Sequence, residues 1–343
     1  MIRNYKQIAA ALLVLTACTG NLPDDDNRTP EETGEPVSIT FDMYTAQLTK
    51  APAGISSAPE AMKEGKTFKI YAYNSKVGTT PNFATEAPVD SAIYTVEKQS
   101  DEKLVAKGDM KLYRGTYYMY LVSYNDDTAP VMGERGTISV GNGKDFMYTT
   151  LENIVVQPTA PGGNSMTVSL PSPFIRMGSQ VVVRARTKSS SPVPVSELEV
   201  REIKVSGLPA SLDYKLGNTA WESCSAYSAD YTYPGNEFKR YGSDGVTDSD
   251  SQFDFWRSLP RVLLPVDGSS LLKFDVKLWV RYNSNKQEIT KVYPASIQKV
   301  LLPGMTYVFD FTLTFYGEII PSDLTLAIRE YNTIPLESDG LGE

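Results

Sequence analysis

The first cysteine of the chain stands where a covalent lipid could be attached. Leu15-Thr16-Ala17-Cys18 places a leucine and two small residues before the thiol, which is the pattern of the bacterial lipobox. A short basic segment and then an apolar run lead up to it, as in a cleaved secretory signal. The apolar run is far shorter than the ~20 residues that a transmembrane helix needs. We therefore expect a signal peptide at residues 1–17 and a diacylglyceryl group on Cys18.

The residues after Cys18 indicate where the anchor and its tether would lie. Thr19 stands where Asp would retain a lipoprotein in the inner membrane, so we expect the outer membrane of a Gram-negative cell. Residues 18–36 are rich in Asp, Glu, Pro and Thr and have little apolar surface, which predicts a flexible lipidated tether. The acidic run at 24–26 resembles the tract that sends some lipoproteins to the cell surface, and a solvated tether explains it equally well.

Composition excludes several kinds of chemistry. The 343 residues carry a formal net charge of −8, which disfavours binding to nucleic acid or to anionic lipid. Because the chain has no histidine, serine triads, cysteine-histidine pairs and most zinc chemistry are excluded. Lipidation of Cys18 leaves Cys224 without an intramolecular disulfide partner. A glycosidase with two carboxylates stays open, but no Asp/Glu pair stands out. We expect no enzyme and no cofactor.

Two side-chain clusters could bind a ligand, and each also has a plain structural explanation. Asp244, Asp248, Asp250 and Asp254 offer the oxygen atoms that Ca²⁺ prefers. Their spacing does not match the EF-hand loop, so we expect a solvated loop without a metal. Aromatic rings on a loop can stack on sugars. The second cluster would suit either such recognition or the packing of a core, and it consists of Trp221, Tyr227, Tyr231 and Tyr233.

Strand-like alternation dominates the chain and predicts an all-β fold. Between residues 272 and 282 apolar side chains alternate with mostly charged ones, as in an antiparallel strand with one buried face. The run 115–124 predicts a strand with tyrosines on both of its faces. A slip in the apolar phase between Val200 and Ile203 predicts a β-bulge. No long segment keeps a helical period.

Prolines near residues 170–180 separate two series of such strands. The length and the strand spacing fit two β-sandwich domains in tandem, each with its own core. We expect an N-terminal sandwich at 37–172 and a C-terminal sandwich at 173–343.

Several short motifs follow the lipobox in a recognisable order. They are Ile39-Thr40-Phe41, Thr49-Lys50-Ala51, Phe68 to Tyr73, Asp145-Phe146-Met147-Tyr148, Phe174-Ile175-Arg176-Met177 and Leu302 to Tyr307. Their order, over nearly the whole chain, resembles that of the fimbrillin-like family, the subunits of the type V pili of Bacteroidales. The resemblance implies that both sandwiches are transthyretin-like and that the chain joins a fimbrium.

The resemblance also implies assembly by strand exchange. A surface protease would cut after a basic residue, the strand containing Val37 to Phe41 would leave with the lipid, and a neighbouring subunit would donate a strand to the empty groove. The cut would follow Lys50, where the family usually has Arg. Arg28 is the only arginine of the tether, but it precedes the strand, so a cut there would release the lipid without emptying a groove. An uncut chain could still serve as an anchor or a terminal subunit.

The strand to be donated would lie within residues 316–343. The side chains that would plug the neighbour's groove are Leu324, Leu326 and Ile328. The same residues fit equally well as a closing strand of the second sandwich.

Two functions follow from these features. The first is a structural and adhesive subunit of a type V pilus, in a tip, stalk or anchor position. Its partners would be other pilus subunits and a host or bacterial surface protein or glycan. The second is a surface glycan-binding lipoprotein of a nutrient-uptake system. Cleavage and strand exchange belong only to the first.

Overall fold

The protein is built from β-strands, as the alternating sequence pattern predicts. The computed structural model describes residues 35–42, 47–48, 60–74, 79–99, 104–159, 163–170, 174–187, 193, 195–217, 220–241, 255–282, 288–316 and 323–331. This part of the chain contains two single-turn 3₁₀ helices, Glu134–Gly136 and Gly235–Glu237, and no α-helix. None of the helices found there could span a membrane. The expected all-β fold is confirmed.

Among the residues that the structure describes, the first half of the chain supplies twelve strands. In chain order they are β1 (Val37–Asp42), β2 (Gln47–Leu48), β3 (Glu60–Ala61), β4 (Thr67–Asn74), β5 (Asp90–Lys98), β6 (Leu104–Lys107), β7 (Lys111–Leu112), β8 (Gly115–Ser123), β9 (Thr137–Gly141), β10 (Met147–Val156), β11 (Ser165–Ser169) and β12 (Ile175–Arg176).

Nine of these strands form one sheet that curls around a core. Their order is β11-β1-β6-β5-β4-β8-β10-β12, with β7 beside β1. The rings of Phe41 on β1 and Phe68 on β4 lie 6.1 Å apart, although β6 and β5 separate the two strands in the sheet. Such a contact requires the sheet to fold over, so two layers face each other across one hydrophobic core, as in a sandwich.

The second half supplies the other twelve strands. They are β13 (Ser179–Thr187), β14 (Val195–Leu208), β15 (Ser211–Lys215), β16 (Ala220–Trp221), β17 (Ala229–Pro234), β18 (Phe238–Tyr241), β19 (Phe255–Ser258), β20 (Arg261–Leu263), β21 (Leu271–Tyr282), β22 (Glu288–Gln298), β23 (Thr306–Thr314) and β24 (Asp323–Tyr331).

Two sheets of the second half enclose a separate core. One sheet has the order β18-β19-β13-β23-β24, with β20 beside β13, and the other has the order β17-β14-β21-β22. Phe274 on β21 packs against Phe309 and Phe311 on β23, with ring centroids 4.8 and 5.2 Å apart. These contacts join the two layers of a second sandwich.

A third sheet connects the two halves. β9 of the first half pairs antiparallel with β15 of the second half, and β15 pairs with β16. Under this sheet lies a third core, rich in tyrosine, to which both halves contribute. The expectation of one core for each sandwich therefore omitted a core that the two halves share.

Three local expectations from the sequence are confirmed. On β21 the even-numbered residues from 272 to 282 are buried, while most of those between them are exposed. The pairing of β14 with β21 shifts register between Val200 and Glu202, where the bulge was predicted. On β8, Tyr117 faces the first core and Tyr118 and Tyr120 face the shared core.

Candidate functional site: the groove of strand β1

Strand β1 lies inside the first sheet, with a neighbour on each side. It pairs in parallel with β11 on one side and antiparallel with β6 and β7 on the other. Val37, Ile39 and Phe41 are fully buried, while Ser38 and Thr40 between them are half-buried. The alternating sequence produces this pattern because successive side chains of a strand point to opposite faces. Loss of β1 would open a groove between β11 on one side and β6 and β7 on the other.

Backbone and side-chain hydrogen bonds hold β1 on both sides. The Ile39 N–H donates to the Met110 carbonyl at 3.1 Å, and the Ile39 carbonyl accepts from the Tyr94 hydroxyl at 2.7 Å. On the other side, the hydroxyl oxygens of Thr40 and Thr167 lie 3.0 Å apart. Each buried polar group left without its partner would cost about 1–3 kcal/mol. An empty groove would therefore be unfavourable in free energy until another strand paired with its edges.

The floor of the groove is aromatic. Phe41 meets the Tyr94 ring edge-on at 5.0 Å, and Phe68 stacks on Tyr94 at 5.6 Å and touches Phe174 at 5.8 Å. Burial raises the pKa of Tyr94, so its phenol stays neutral and can donate to the backbone of β1. A strand that replaced β1 would need apolar side chains at every second position to cover this floor.

Strand β24 closes the second sandwich at one edge. It pairs antiparallel with β23 over nine residues and has no other strand partner among the described residues. Leu324, Leu326 and Ile328 are half-buried and pack against the second core. In this chain the three side chains that were expected to plug a neighbour's groove thus cover the chain's own core.

The other sheet of the second sandwich ends in β22, which carries a proline in its middle. Pro294 lies opposite Asp275 of β21. Proline lacks an N–H and is tolerated on an edge strand where its nitrogen faces away from the ladder. The outer side of β22 is therefore a poor template for an added strand.

The four aromatic residues proposed for recognition do not form one surface. The Trp221 Nε1–H donates to the Met177 carbonyl at 2.8 Å, and its ring lies 5.6 Å from that of Phe146, at the edge of the shared core. Tyr233 is fully buried, and its hydroxyl donates to the Val181 carbonyl at 3.1 Å. The recognition hypothesis is wrong for Tyr233, since a fully buried ring cannot stack on a ligand, and Trp221 is engaged in packing.

The remaining two tyrosines of that cluster differ in their surroundings. Tyr231 packs on Tyr233 with ring centroids 5.1 Å apart and lies over the second core. Tyr227 is half-buried, and burial, together with the hydrogen bond of its hydroxyl to Asp267, raises the pKa of Tyr227. Tyr227 lines a surface depression, next to Ser269 and Ser270.

An ion pair that was not predicted from the sequence joins two of the motifs that resemble the fimbrillin-like family. The guanidinium of Arg176 donates to one oxygen of Asp145 through Nε at 3.1 Å and Nη2 at 2.8 Å. The side chain of Arg176 is 5% exposed and that of Asp145 is 15% exposed. A charged residue in each of two otherwise apolar motifs was the signal that could have revealed the pair, because buried charges are normally partnered.

Several predicted residues lie outside the described part of the chain. They are Cys18, Arg28, Lys50, Asp244, Asp248, Asp250 and Asp254. Among the residues that the structure does describe, no group of three or more His, Cys, Asp or Glu could hold a metal ion.

Comparison with known proteins shows what the fold is similar to. No protein-family profile and no curated sequence matches the chain. A crystal structure of a candidate cell adhesion protein from Bacteroides fragilis aligns with 88% of this chain and all of that one, at 16% identity and a TM-score of 0.51. A fimbrial protein from Bacteroides vulgatus aligns with 86% of this chain and 99% of that one, at 14% identity and a TM-score of 0.50.

These similarities concern architecture. At such low identity they show a shared fold, and they extend over nearly the full length of both solved proteins. The tandem all-β arrangement that the resemblance to the fimbrillin-like family implied is therefore present in this chain.

Proposed function

We propose that the protein is a structural and adhesive subunit of a surface pilus of the type V kind, assembled by exchange of strand β1. The position of β1 carries this proposal. It is the first described strand of the chain, it lies between two neighbours, and its three apolar side chains are fully buried. One cut after β1 would free it and leave a groove that accepts a strand from a second copy. The shared fold with a fimbrial protein supports the proposal.

Export and anchoring precede assembly in this proposal. The signal peptide directs the chain across the inner membrane, lipidation of Cys18 anchors it in the outer membrane, and the tether presents the sandwiches at the cell surface. A cut after Lys50 falls between β1 and β4 and releases β1 with the lipid. A cut after Arg28 precedes β1 and leaves the groove filled.

The chain holds a strand of suitable pattern for donation. Leu324, Leu326 and Ile328 repeat at every second position, as Val37, Ile39 and Phe41 do in β1. Because β24 pairs with β23 alone among the described strands, it can leave its own sheet without breaking a second ladder. In the proposed pilus, β24 of one subunit fills the groove that β1 of the next has left.

A reversible covalent lock on β1 tests the exchange. The hydroxyl oxygens of Thr40 and Thr167 on adjacent strands are 3.0 Å apart, so Thr40→Cys with Thr167→Cys places two thiols within reach of a disulfide. Under oxidising conditions we expect the double variant to reach the surface and to be cut, but to stay monomeric. Reduction should restore polymers, measured by electron microscopy and by electrophoresis of unheated samples.

The single variants Thr40→Cys and Thr167→Cys are the matched controls, and both should polymerise with or without reductant. Polymerisation of the oxidised double variant at the wild-type level would refute exchange of β1. A glycan-binding lipoprotein, the other function drawn from the sequence, would show no dependence on the lock because it needs no strand exchange.

Mass spectrometry of the protein taken from the cell surface tests the processing. A new N-terminus at Ala51 together with loss of the lipid supports cutting after Lys50. An intact lipidated Cys18 on every polymerised subunit would contradict removal of β1. We propose no enzymatic activity, because the chain has no histidine and the two solved proteins compared above are a candidate cell adhesion protein and a fimbrial protein.

A further inference from the structure

A cleft of about 640 Å³ opens where the two sandwiches meet. Its volume lies within the roughly 300–1,000 Å³ typical of small-molecule sites, which often form at domain boundaries. The first half contributes one wall and the second half the other. The polar side chains that line it are Thr80, Asn82, Glu134, Arg135 and Thr137 on one wall and Asp213, Lys215 and Glu222 on the other.

The floor of the cleft is a β-ladder. Thr137 of β9 lies opposite Lys215 of β15, and Asp213 lies opposite Ser139. The residues between them, Ile138 and Tyr214, are fully buried in the shared core. Polar groups carried by strands that are packed from below keep their positions, and such rigidity favours binding.

Phe83 fixes the loop that forms the rim of the cleft. A Cβ atom on Gly136 of the first half or on Gly217 of the second would lie 2.7 Å from Phe83. Both glycines have positive φ, at +64° and +88°. The ring also meets Tyr73 edge-on at 5.0 Å and Tyr120 at 5.5 Å. The rim loop is therefore held against both halves, and glycine at these two positions leaves room for Phe83.

Arg135 has an unusual backbone conformation at this rim. Its φ is 55° and its ψ is 35°, in the left-handed region that costs free energy for a residue with a Cβ. The other non-glycine residues with positive φ in the described chain are Asn125 and Asn153, and asparagine tolerates this region better than arginine. Arg135 is exposed, and its guanidinium has no ion-pair partner among the described residues. A strained residue with an uncommitted charge at a cleft indicates a role in binding.

We infer that this cleft binds a neutral sugar. The lining carries three carboxylates, Glu134, Asp213 and Glu222, and two basic groups, Arg135 and Lys215, so it has one net negative charge and disfavours phosphates and anionic sugars. Lys215 pairs with Glu222, which leaves Glu134, Asp213 and Arg135 to meet a ligand. The basic groups beside the carboxylates disfavour a metal cation. Phe83 is 6% exposed, so the cleft lacks the open apolar anchor site that a peptide would use. Carboxylates, an amide, a hydroxyl and a guanidinium together can donate to and accept from the hydroxyl groups of a sugar.

This inference rests on the proposed function for its setting, since a sugar site would give the pilus subunit its adhesive role. Binding itself can be measured without assembly. The full chain is purified as a monomer, and saturation-transfer NMR is recorded with methyl α-mannoside, methyl β-galactoside, N-acetylglucosamine and fucose. N-acetylneuraminic acid serves as the anionic comparison. At least one neutral sugar should show saturation transfer from the protein, and N-acetylneuraminic acid should not.

Two substitutions in the cleft and one outside it locate the site. Arg135→Gly suits the left-handed backbone and removes the guanidinium, and Asp213→Asn keeps the shape and removes a charge. Each substitution should weaken the affinity for the sugar by about tenfold, which is the effect of losing a hydrogen bond to a charged group. Asp230→Asn, in a separate depression beside Tyr227, should leave affinity unchanged. Thermal unfolding confirms that each variant is folded.

Transfer to none of the neutral sugars, equal transfer to N-acetylneuraminic acid, or unchanged affinity in both cleft variants would overturn the inference. None of these results bears on the β1 lock, which reports polymerisation and not sugar binding. Conversely, the monomer could bind sugar while the oxidised Thr40→Cys/Thr167→Cys variant still polymerised. The inference about the cleft would then stand, and exchange of β1 would be refuted.

Discussion

The hydroxyl oxygens of Tyr120 and Tyr214 lie 3.2 Å apart across the boundary between the two sandwiches. Tyr120 belongs to β8 and Tyr214 to β15, and both are almost fully buried. Burial raises the pKa of each phenol, so both stay neutral and one hydroxyl can donate to the other. The Tyr148 ring stacks on Tyr120 at 5.6 Å, and Phe146 lies 4.9 Å from Tyr214. The halves therefore share a packed aromatic core with a polar contact inside it.

Removal of the Tyr214 ring should uncouple the two sandwiches. Tyr214→Ala should lower the free energy of unfolding by about 3–5 kcal/mol, as truncation of a buried aromatic ring does. Calorimetry should then show two transitions in place of one. Tyr214→Phe keeps the ring and should cost about 1–3 kcal/mol through the unpaired Tyr120 hydroxyl, with a single transition. A single transition in Tyr214→Ala would show that the two sandwiches stay coupled without this ring.

The first sandwich should depend on the inward side chains of β1. Phe41→Ala should lower the free energy of unfolding by about 3–5 kcal/mol because it leaves a cavity against Phe68 and Tyr94. Ser38→Ala on the opposite face of the strand should stay within about 0.5 kcal/mol. Chemical denaturation measures both. Equal effects of the two substitutions would contradict the burial of β1.

The pair of Asp145 and Arg176 should matter far more than an exposed ion pair. Asp145→Asn should cost about 3–5 kcal/mol, since it removes a negative charge that pairs with the buried guanidinium of Arg176. Glu97→Gln breaks the exposed pair with Lys107 and should cost less than about 1 kcal/mol. Urea unfolding curves give both values. The interpretation fails if Asp145→Asn is as mild as Glu97→Gln.

Stability should fall in strong alkali because the buried tyrosines resist ionisation. Burial raises the pKa of Tyr71 and of Tyr117 from 10.0 to about 12. Below pH ~10 the phenols are protonated in both states, so their contribution is complete. As the pH rises from about 10 to about 12 the unfolded chain loses protons that the folded chain keeps, and stability is lost.

Absorbance of tyrosinate near 295 nm, recorded together with circular dichroism, checks this behaviour. A large part of the tyrosinate absorbance should appear only at the pH at which the circular dichroism of the β-strands is lost. Complete ionisation of the 21 tyrosines with a midpoint near pH 10, while the strand signal persists, would contradict their burial.

Arg135 should be replaceable by glycine with a gain in stability. Because glycine adopts the left-handed region without steric cost, Arg135→Gly should stabilise the chain by roughly 1 kcal/mol after the entropic cost of glycine is subtracted. Asn153→Gly, at a φ of 55°, should gain less, since asparagine already tolerates that conformation. Thermal denaturation measures both. A loss of stability in Arg135→Gly would mean that its side chain contributes to the fold.

Much of the local structure followed from the sequence. Strand periodicity identified β1 and β21, and the phase slip near Val200 located a bulge, because burial of one strand face imposes a period of two on the side chains. The burial of Val37, Ile39 and Phe41 follows from the same period. The sequence left the aromatic cluster open between recognition and packing: Tyr233 stands in a polar-looking segment, and it is fully buried because β17 pairs with β14 and turns that face inward.

The sequence by itself determined the strands, their buried faces and the absence of histidine chemistry, because these depend on composition and on neighbours along the chain. Tertiary structure decided which strands are neighbours in space. It put β1 between β11 and β6, brought Tyr120 to Tyr214, and joined β9 to β15 to form the floor of a cleft. Such pairings bring together residues more than 120 positions apart, as in the hydroxyl contact of Thr40 with Thr167, which are 127 positions apart. A periodic pattern states which face of a strand is apolar, but it does not state which other strand will cover that face.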